Sequence, residues 1–128
     1  MNMRILGIDY GEKRIGLAVS DESETLAREL KIVSPNDFWN QIHSLIADQE
    51  IRLIVIGWPL NMSGKETNKT REVESFKVKV ESETGMPVEV IDERLTSVMA
   101  GHLPGGNKNI DSLAAQILLQ NYLDKNKK

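Results

Sequence analysis

Gly7-Ile8-Asp9-Tyr10-Gly11-Glu12-Lys13-Arg14-Ile15-Gly16 joins two apolar runs, and its reading decides the fold. The first run (Ile5, Leu6, Ile8) ends on an aspartate, a glycine-containing polar turn follows, and a second run (Ile15, Leu17, Val19) returns. That pattern predicts a β-hairpin with a carboxylate at the end of its first strand. Side chains alternate faces along a strand, so Ile5, Gly7 and Asp9 share one face and Leu6, Ile8 and Tyr10 the other. On the returning strand Gly16 and Ala18 alternate with the larger apolar residues. Small residues thus pave the face beside Asp9, and a carboxylate among bare backbone leaves room for a metal ion or a phosphate.

Outward from the hairpin, Ser20–Glu24 is a polar turn and Thr25–Val33 a third, less regular strand carrying Leu26, Leu30, Ile32 and Val33. Ser34-Pro35-Asn36-Asp37 predicts a helix start, with serine as N-cap, proline at the first helical position and an acid in the first turn. Phe38, Ile42, Leu45 and Ile46 continue it as an amphipathic helix to about Glu50; His43 lies off that stripe and reads as a solvated surface residue. Ile51–Gly57 is almost wholly apolar and β-branched, as suits a central strand covered on both faces. Trp58–Gly64 is a loop punctuated by proline and glycine. Lys65–Thr84 is a helix with Val73, Phe76 and Val80 on one stripe, and Gly85-Met86-Pro87 stops it.

Val88–Ile91 is a short strand ending in Asp92-Glu93-Arg94. Thr96–His102 reads as a short helix and Leu103–Asn109 as a flexible loop. Ile110, Leu113, Ala114, Ile117, Leu118 and Tyr122 define a last helix. The order predicts an α/β fold: a mixed five-stranded sheet, three antiparallel strands then two parallel crossovers, flanked by helices. We expect one domain over residues 1–124 and a disordered Lys-rich tail over 125–128.

Composition narrows the chemistry. The 128 residues contain no cysteine, which removes disulfides and zinc–thiolate sites from consideration. No run approaches the roughly 20 apolar residues of a membrane span, and Met1–Arg4 lacks the pattern of a signal peptide, so we expect a cytoplasmic protein without a membrane partner. The formal charge of −3 argues against a non-specific nucleic-acid coat. A nuclease is compatible with it, because a carboxylate site adds negative charge of its own.

Three acids sit where elements end: Asp9 after the first strand, Glu93 after the last, and Asp111 in the first turn of the final helix. Sites in open α/β sheets gather at the carboxyl ends of parallel strands. Carboxylates converging there form an oxygen-only site for a hard dication, Mg²⁺ or Mn²⁺. Two such ions about 4 Å apart activate water and stabilise the leaving oxygen in phosphodiester cleavage. Spacing alone leaves other roles open. Asp9 could shape the turn, Glu93 could pair with Arg94 or stay solvated, and an acid in a helix's first turn is favoured by the macrodipole.

Four blocks in order carry a resemblance. Residues 7–21, from Gly7 through Asp9 and Gly16 to Asp21, resemble the opening signature of the bacterial YqgF/RuvX family. Ile54–Gly64 resembles its fourth-strand block, Val90–Ser97 its block around Asp92-Glu93-Arg94, and Asp111–Leu123 its last helix. The resemblance spans nearly the whole chain and is far more specific than any single block. It implies an RNase H-like sheet with the first strand central, and a metal-dependent nuclease in which Asp9, Glu93 and Asp111 are catalytic and hold Mg²⁺ or Mn²⁺. Asp92 is an alternative to Glu93, although adjacent strand residues point to opposite faces.

The resemblance further implies that Lys13 and Arg14 approach the nucleic-acid backbone from the hairpin turn. Asn61 and Arg71 would meet phosphate around the start of the second helix, and Arg94 would contact phosphate or hold Glu93. Trp58 reads as a strand-end core residue rather than a base-stacking platform. The expected substrate is the 5′ end of a precursor 16S rRNA. A four-way DNA junction is the alternative, as is a non-catalytic nucleic-acid-binding module; the protein is expected to be a monomer or a homodimer. A sugar-kinase or actin-like ATPase also opens on a strand ending Asp-x-Gly, but closes two such domains around its nucleotide, and 128 residues hold one. One departure stands out. The family usually carries a longer, basic segment before the final helix, whereas Leu103–Asn109 here holds a single lysine. Weaker phosphate contact on that side is expected.

Overall fold

The computed structural model describes residues 3–61, 63–92 and 110–126, with side chains from 113 onward in the last segment. Five strands, β1 (Arg4–Asp9), β2 (Ile15–Ser20), β3 (Ala27–Val33), β4 (Ile51–Trp58) and β5 (Val88–Asp92), form one sheet in the order β3-β2-β1-β4-β5. The hairpin pairs β1 with β2 antiparallel, placing Leu6 opposite Val19 and Asp9 opposite Gly16. β3 continues antiparallel on β2, while β4 runs parallel to β1 and β5 parallel to β4. The mixed sheet expected from the element order is present, and the strand bearing Asp9 is central.

Helices α1 (Pro35–Asp48), α2 (Asn68–Thr84) and α3 (Ile110–Lys125) cover the sheet. Strand alternation sorts the apolar side chains into two cores. Leu6, Ile8, Leu17 and Ile54 meet Phe38 and Ile42 of α1 and Val73, Phe76 and Val80 of α2. On the opposite face Ile5, Ala18, Leu53 and Val55 meet Ala115, Leu118, Leu119 and Leu123 of α3. From Leu53 to Ile56 successive residues of β4 therefore enter different cores, which is why Leu53–Gly57 is continuously apolar, while Arg52 is exposed. Full burial of one such side chain stabilises by roughly 1.5–3 kcal/mol.

Local chemistry sets the boundaries. Ser34 Oγ accepts the Asp37 N–H at 3.2 Å with Pro35 opening the helix, as its sequence predicts. The third strand begins at Ala27 rather than Thr25, because Asp21 Oδ1 draws the Thr25 and Leu26 N–H groups into the preceding turn at 2.8 and 3.2 Å. Those backbone donors, Thr25 first, hold the Asp21 carboxyl below its ordinary range. Leu26 is left exposed. The second helix starts at Asn68, three residues after the expected Lys65. Thr67 is its N-cap, with its N–H donating to Thr70 Oγ1 at 2.9 Å, while Lys65 is tied into the loop before it. Trp58 belongs to β4 and rests half-buried against the core on the α1/α2 face, and His43 is exposed.

The last helix shows one rotation. Leu113 and Ala114, expected on its core stripe, are only half-buried, whereas Ala115 and Leu119 are fully buried. Nearly every side of this helix is apolar, so periodicity does not single out a face. Two glutamines choose it. Gln116 Nε2 donates to the Ala27 carbonyl at 3.2 Å, and Gln120 binds Ala27 and Thr25 of the third-strand segment. Lys125, expected to open a disordered tail, ends this helix. The expected Thr96–His102 helix and Leu103–Asn109 loop lie outside the described residues.

Candidate active site

Asp9 ends β1 and lies on the α3 face of the sheet, two residues beyond Gly7 and four beyond Ile5. α3 runs antiparallel to β1, so that Leu123 packs with Ile5 at one end, and Ala115 and Leu119 cross Gly7 nearer the other. The crossing is close. A Cβ built on Gly7 would stand 2.8 Å from Leu119 Cβ and 3.4 Å from the Ala115 carbonyl oxygen. From that crossing, Asp9 is two strand residues onward, an advance of about 7 Å. Asp111 lies in the same direction along α3, about 6 Å of helix before Ala115 and about 12 Å before Leu119. The backbone of the first turn of α3 is thereby brought over the strand end that carries Asp9.

Gly7 therefore has a different role from the open phosphate path that its small size suggests: it is the seat of a helix. Gly11 is fixed by the turn itself, since a Cβ there would fall 2.5 Å from the Arg14 carbonyl oxygen. That turn holds Lys13 and Arg14 exposed at the same end of the sheet as Asp9. Tyr10 points to the other face, its ring 4.5 Å from that of Phe76, with Lys69 Nζ 5.7 Å above it. Burial, then the nearby carboxylates Glu72 and Glu12, push the Tyr10 phenol above its ordinary range. Neither Lys69 nor this aromatic seat has a periodic signal in the sequence; the contact arises only when α2 folds back over the hairpin.

Asn61 is exposed in the loop between β4 and α2, and its Oδ1 is committed within that loop. It accepts the Ser63 N–H at 3.0 Å, the Ser63 hydroxyl at 2.7 Å and the Lys65 N–H at 2.9 Å. The residue shapes the turn that leads into α2. Arg71 is exposed in the first turn of that helix. Asp92 pairs with Trp58 at the end of β5 and lies on the opposite strand face from Ile91, which packs in the α3-side core. Glu93 and Arg94 lie outside the described residues, as does the Asp111 side chain.

Among the described residues no cluster of three or more His, Asp or Glu side chains is poised to hold a metal, and Asp9 is the one member of the expected triad whose side chain is described. The donor chemistry nevertheless suits one class of ion. The three acids offer oxygen ligands alone, the preference of Mg²⁺ and Mn²⁺. A separate cavity of about 490 Å³ lies at the far end of the sheet, lined by Ile5, Glu24, Arg52, Glu89, Tyr122 and Leu123 among others. Its polar groups are internally paired: Arg52 with Glu24, and the Tyr122 hydroxyl with Glu89 at 2.8 Å. It stands apart from Asp9. Among the described residues no helix is long and apolar enough to cross a membrane.

The RuvX family, described as Holliday junction resolvase, matches residues 3–125. A protein of Dictyoglomus thermophilum called "Putative pre-16S rRNA nuclease" is 36% identical over 95% of this chain and 96% of its own length. Relatives with the same designation from Streptococcus gordonii and Chloroflexus aggregans are 37% and 39% identical, covering 97% and 94% of this chain and 99% and 92% of theirs. Among solved structures, RuvC of T. thermophilus in complex with a Holliday junction substrate superposes with a TM-score of 0.62 over 96% of this chain and 94% of that one. At 14% identity that likeness speaks for the fold, which is RNase H-like.

Proposed function

The chain belongs to the RuvX family, and on that premise we propose that it is a nuclease hydrolysing phosphodiester bonds of structured RNA, trimming the 5′ end of a 16S rRNA precursor. The observation that carries this reading is the position of Asp9: it ends the central strand, on the face where the first turn of α3 arrives. Asp9, Glu93 and Asp111 are the residues that would hold Mg²⁺ or Mn²⁺. When bound, such an ion lowers the pKa of water and neutralises charge at the scissile phosphate.

The chain's own residues do the rest by position. Lys13 and Arg14 stand on the exposed turn beside Asp9 and attract the phosphate backbone. The loop shaped by Asn61 aims the start of α2, with Arg71 in its first turn, so that backbone N–H groups and a guanidinium meet phosphate oxygens. Arg94 follows Glu93 directly in sequence and either contacts phosphate or holds that carboxylate. The net charge of −3 leaves binding dependent on these few cations rather than on a broad basic surface.

A resolvase reading is favoured by the description of the family itself. It demands a dimer, because two symmetric cuts need two sites. The two substrates are separated by incubating the protein with precursor 16S rRNA and with a synthetic four-way DNA junction, each in Mg²⁺, Mn²⁺ or EDTA, with Asp9→Asn as control. Cleavage confined to the rRNA, lost in EDTA and in Asp9→Asn, supports the proposal. Paired symmetric cuts in the junction support a resolvase, and binding of either substrate without cleavage supports a non-catalytic module. Full activity in Asp9→Asn would sink the site assignment.

A further inference from the structure

We propose that Gly7 is a positioning residue for the metal site: its bare backbone sets how closely α3 lies on the sheet, and thereby where Asp111 stands relative to Asp9. The inference rests on the three-carboxylate reading above. Ala115 and Leu119 are completely buried over Gly7, and the Cβ position of Gly7 is 2.8 Å from Leu119 Cβ, closer than real Cβ contacts come. The atom in the way is a second Cβ, which does not swing aside by a rotamer change, and the Ala115 carbonyl oxygen and Leu119 Cδ2 already stand in contact distance at 3.4 Å. Ala18 and Val55 flank Gly7 across the sheet and are themselves fully buried. An added methyl has one way out, which is to push α3 off the strand.

The polar anchors of α3 among the described residues are Gln116 and Gln120 on the third-strand segment and Tyr122 on Glu89. Gln116 and Gln120 bracket Leu119, so they hold the helix at the Gly7 crossing itself. A displacement there changes the height of α3 over β1, and with it the backbone position of Asp111 in the first turn of the helix. Gly7 is two residues from Asp9 on the strand, and the helix it seats carries Asp111 one turn before Ala115 and two before Leu119.

The test is Mn²⁺ affinity by calorimetry, measured beside thermal melting, on the full chain as wild type, Asp9→Asn, Gly7→Ala and Gly7→Ala/Leu119→Gly. Asp9→Asn binds Mn²⁺ much more weakly than wild type if the carboxylate reading is right. Gly7→Ala loses about 10-fold in affinity, the scale of disturbing a metal site's supports. Gly7→Ala/Leu119→Gly recovers most of that affinity, because removing the opposing Cβ lets α3 settle back. Its melting temperature stays below wild type, since glycine weakens the helix and the leucine packing is gone. Affinity returning while stability does not is an outcome that a merely structural role for Gly7 does not produce. Should Gly7→Ala fail to fold, Leu119→Ile, which adds a branch on the Cβ that faces Gly7, takes its place and is read in the same way. Wild-type Mn²⁺ binding with an unchanged constant in Gly7→Ala, or no recovery in the double variant, overturns the inference alone. Absence of Mn²⁺ binding by the wild type, or equal binding by Asp9→Asn, overturns the carboxylate reading and this inference with it.

Discussion

Gln120 Oε1 accepts the backbone N–H of Ala27 at 2.8 Å, joining α3 to the start of β3 across 93 residues of chain. The same side chain donates through Nε2 to the Thr25 carbonyl at 2.9 Å. One amide thus supplies an acceptor and a donor to the backbone of β3 and the residues leading into it, β3 being an edge strand among the described residues. Edge strands with unpaired groups invite pairing with other chains, and here a helix side chain covers part of that edge.

Gln120→Ala removes both bonds and leaves the partly buried Ala27 N–H without its acceptor. The expected cost is about 1–3 kcal/mol, the penalty of an unsatisfied group rather than the small net worth of a hydrogen bond. Gln120→Glu keeps an acceptor for Ala27 but sets a carboxylate oxygen against the Thr25 carbonyl and the Asp124 carboxylate, both of which Gln120 Nε2 meets as a donor, so it should be no more stable than alanine. Urea denaturation monitored by circular dichroism gives the comparison. Equal midpoints for wild type and Gln120→Ala would show that water replaces the clamp without loss.

The Tyr122 hydroxyl donates to Glu89 at 2.8 Å beside the far cavity. Burial first, and then the bond and charge of Glu89, push the Tyr122 phenol up from 10.0 to about 12. A raised value in the folded state means that the stabilisation is fully present below pH 10. It is lost as pH rises toward 12, because the unfolded chain ionises first. Tyr122→Phe should therefore cost about 1 kcal/mol at pH 8, and its deficit against wild type should shrink between pH 10 and 12. A deficit that stays constant to pH 12 would mean that the hydroxyl is not protected by the fold.

Much of the architecture was legible because single residues carry unambiguous physics. A serine followed by proline marks where α1 begins, and the two apolar runs around a glycine-containing turn mark the hairpin strands that pair antiparallel. Legibility failed where several answers satisfied the same local rule. The last helix is apolar on nearly all sides, so its buried face is decided by two glutamines that meet the third-strand segment only in the folded chain. The start of α2 moved because Asn61 Oδ1 holds Lys65 in a loop, an interaction with no periodic trace. Gly7 is the sharpest case. Its smallness was visible beside Asp9, but whether it left space for a substrate or for Leu119 depended on which helix crossed it.

Lys13 offers the cleanest test of how nucleic acid approaches. It is exposed on the turn that follows Asp9, whereas Arg28 is exposed near the other end of the sheet, opposite Val19 and hydrogen-bonded to Gln49. Removing one phosphate contact reduces the slope of log affinity against log salt by about 0.7–0.9. Lys13→Ala is thus expected to weaken binding of precursor rRNA several-fold at low salt, with that reduction in slope and an unchanged melting temperature. Arg28→Ala carries the same loss of charge, so any long-range effect of net charge appears equally in both. A lower slope for Lys13→Ala alone places the nucleic-acid path over the Asp9 end of the sheet. Equal slopes in the two variants would remove the hairpin turn from the interface, leaving Arg71 and the loop before α2 as the remaining described candidates.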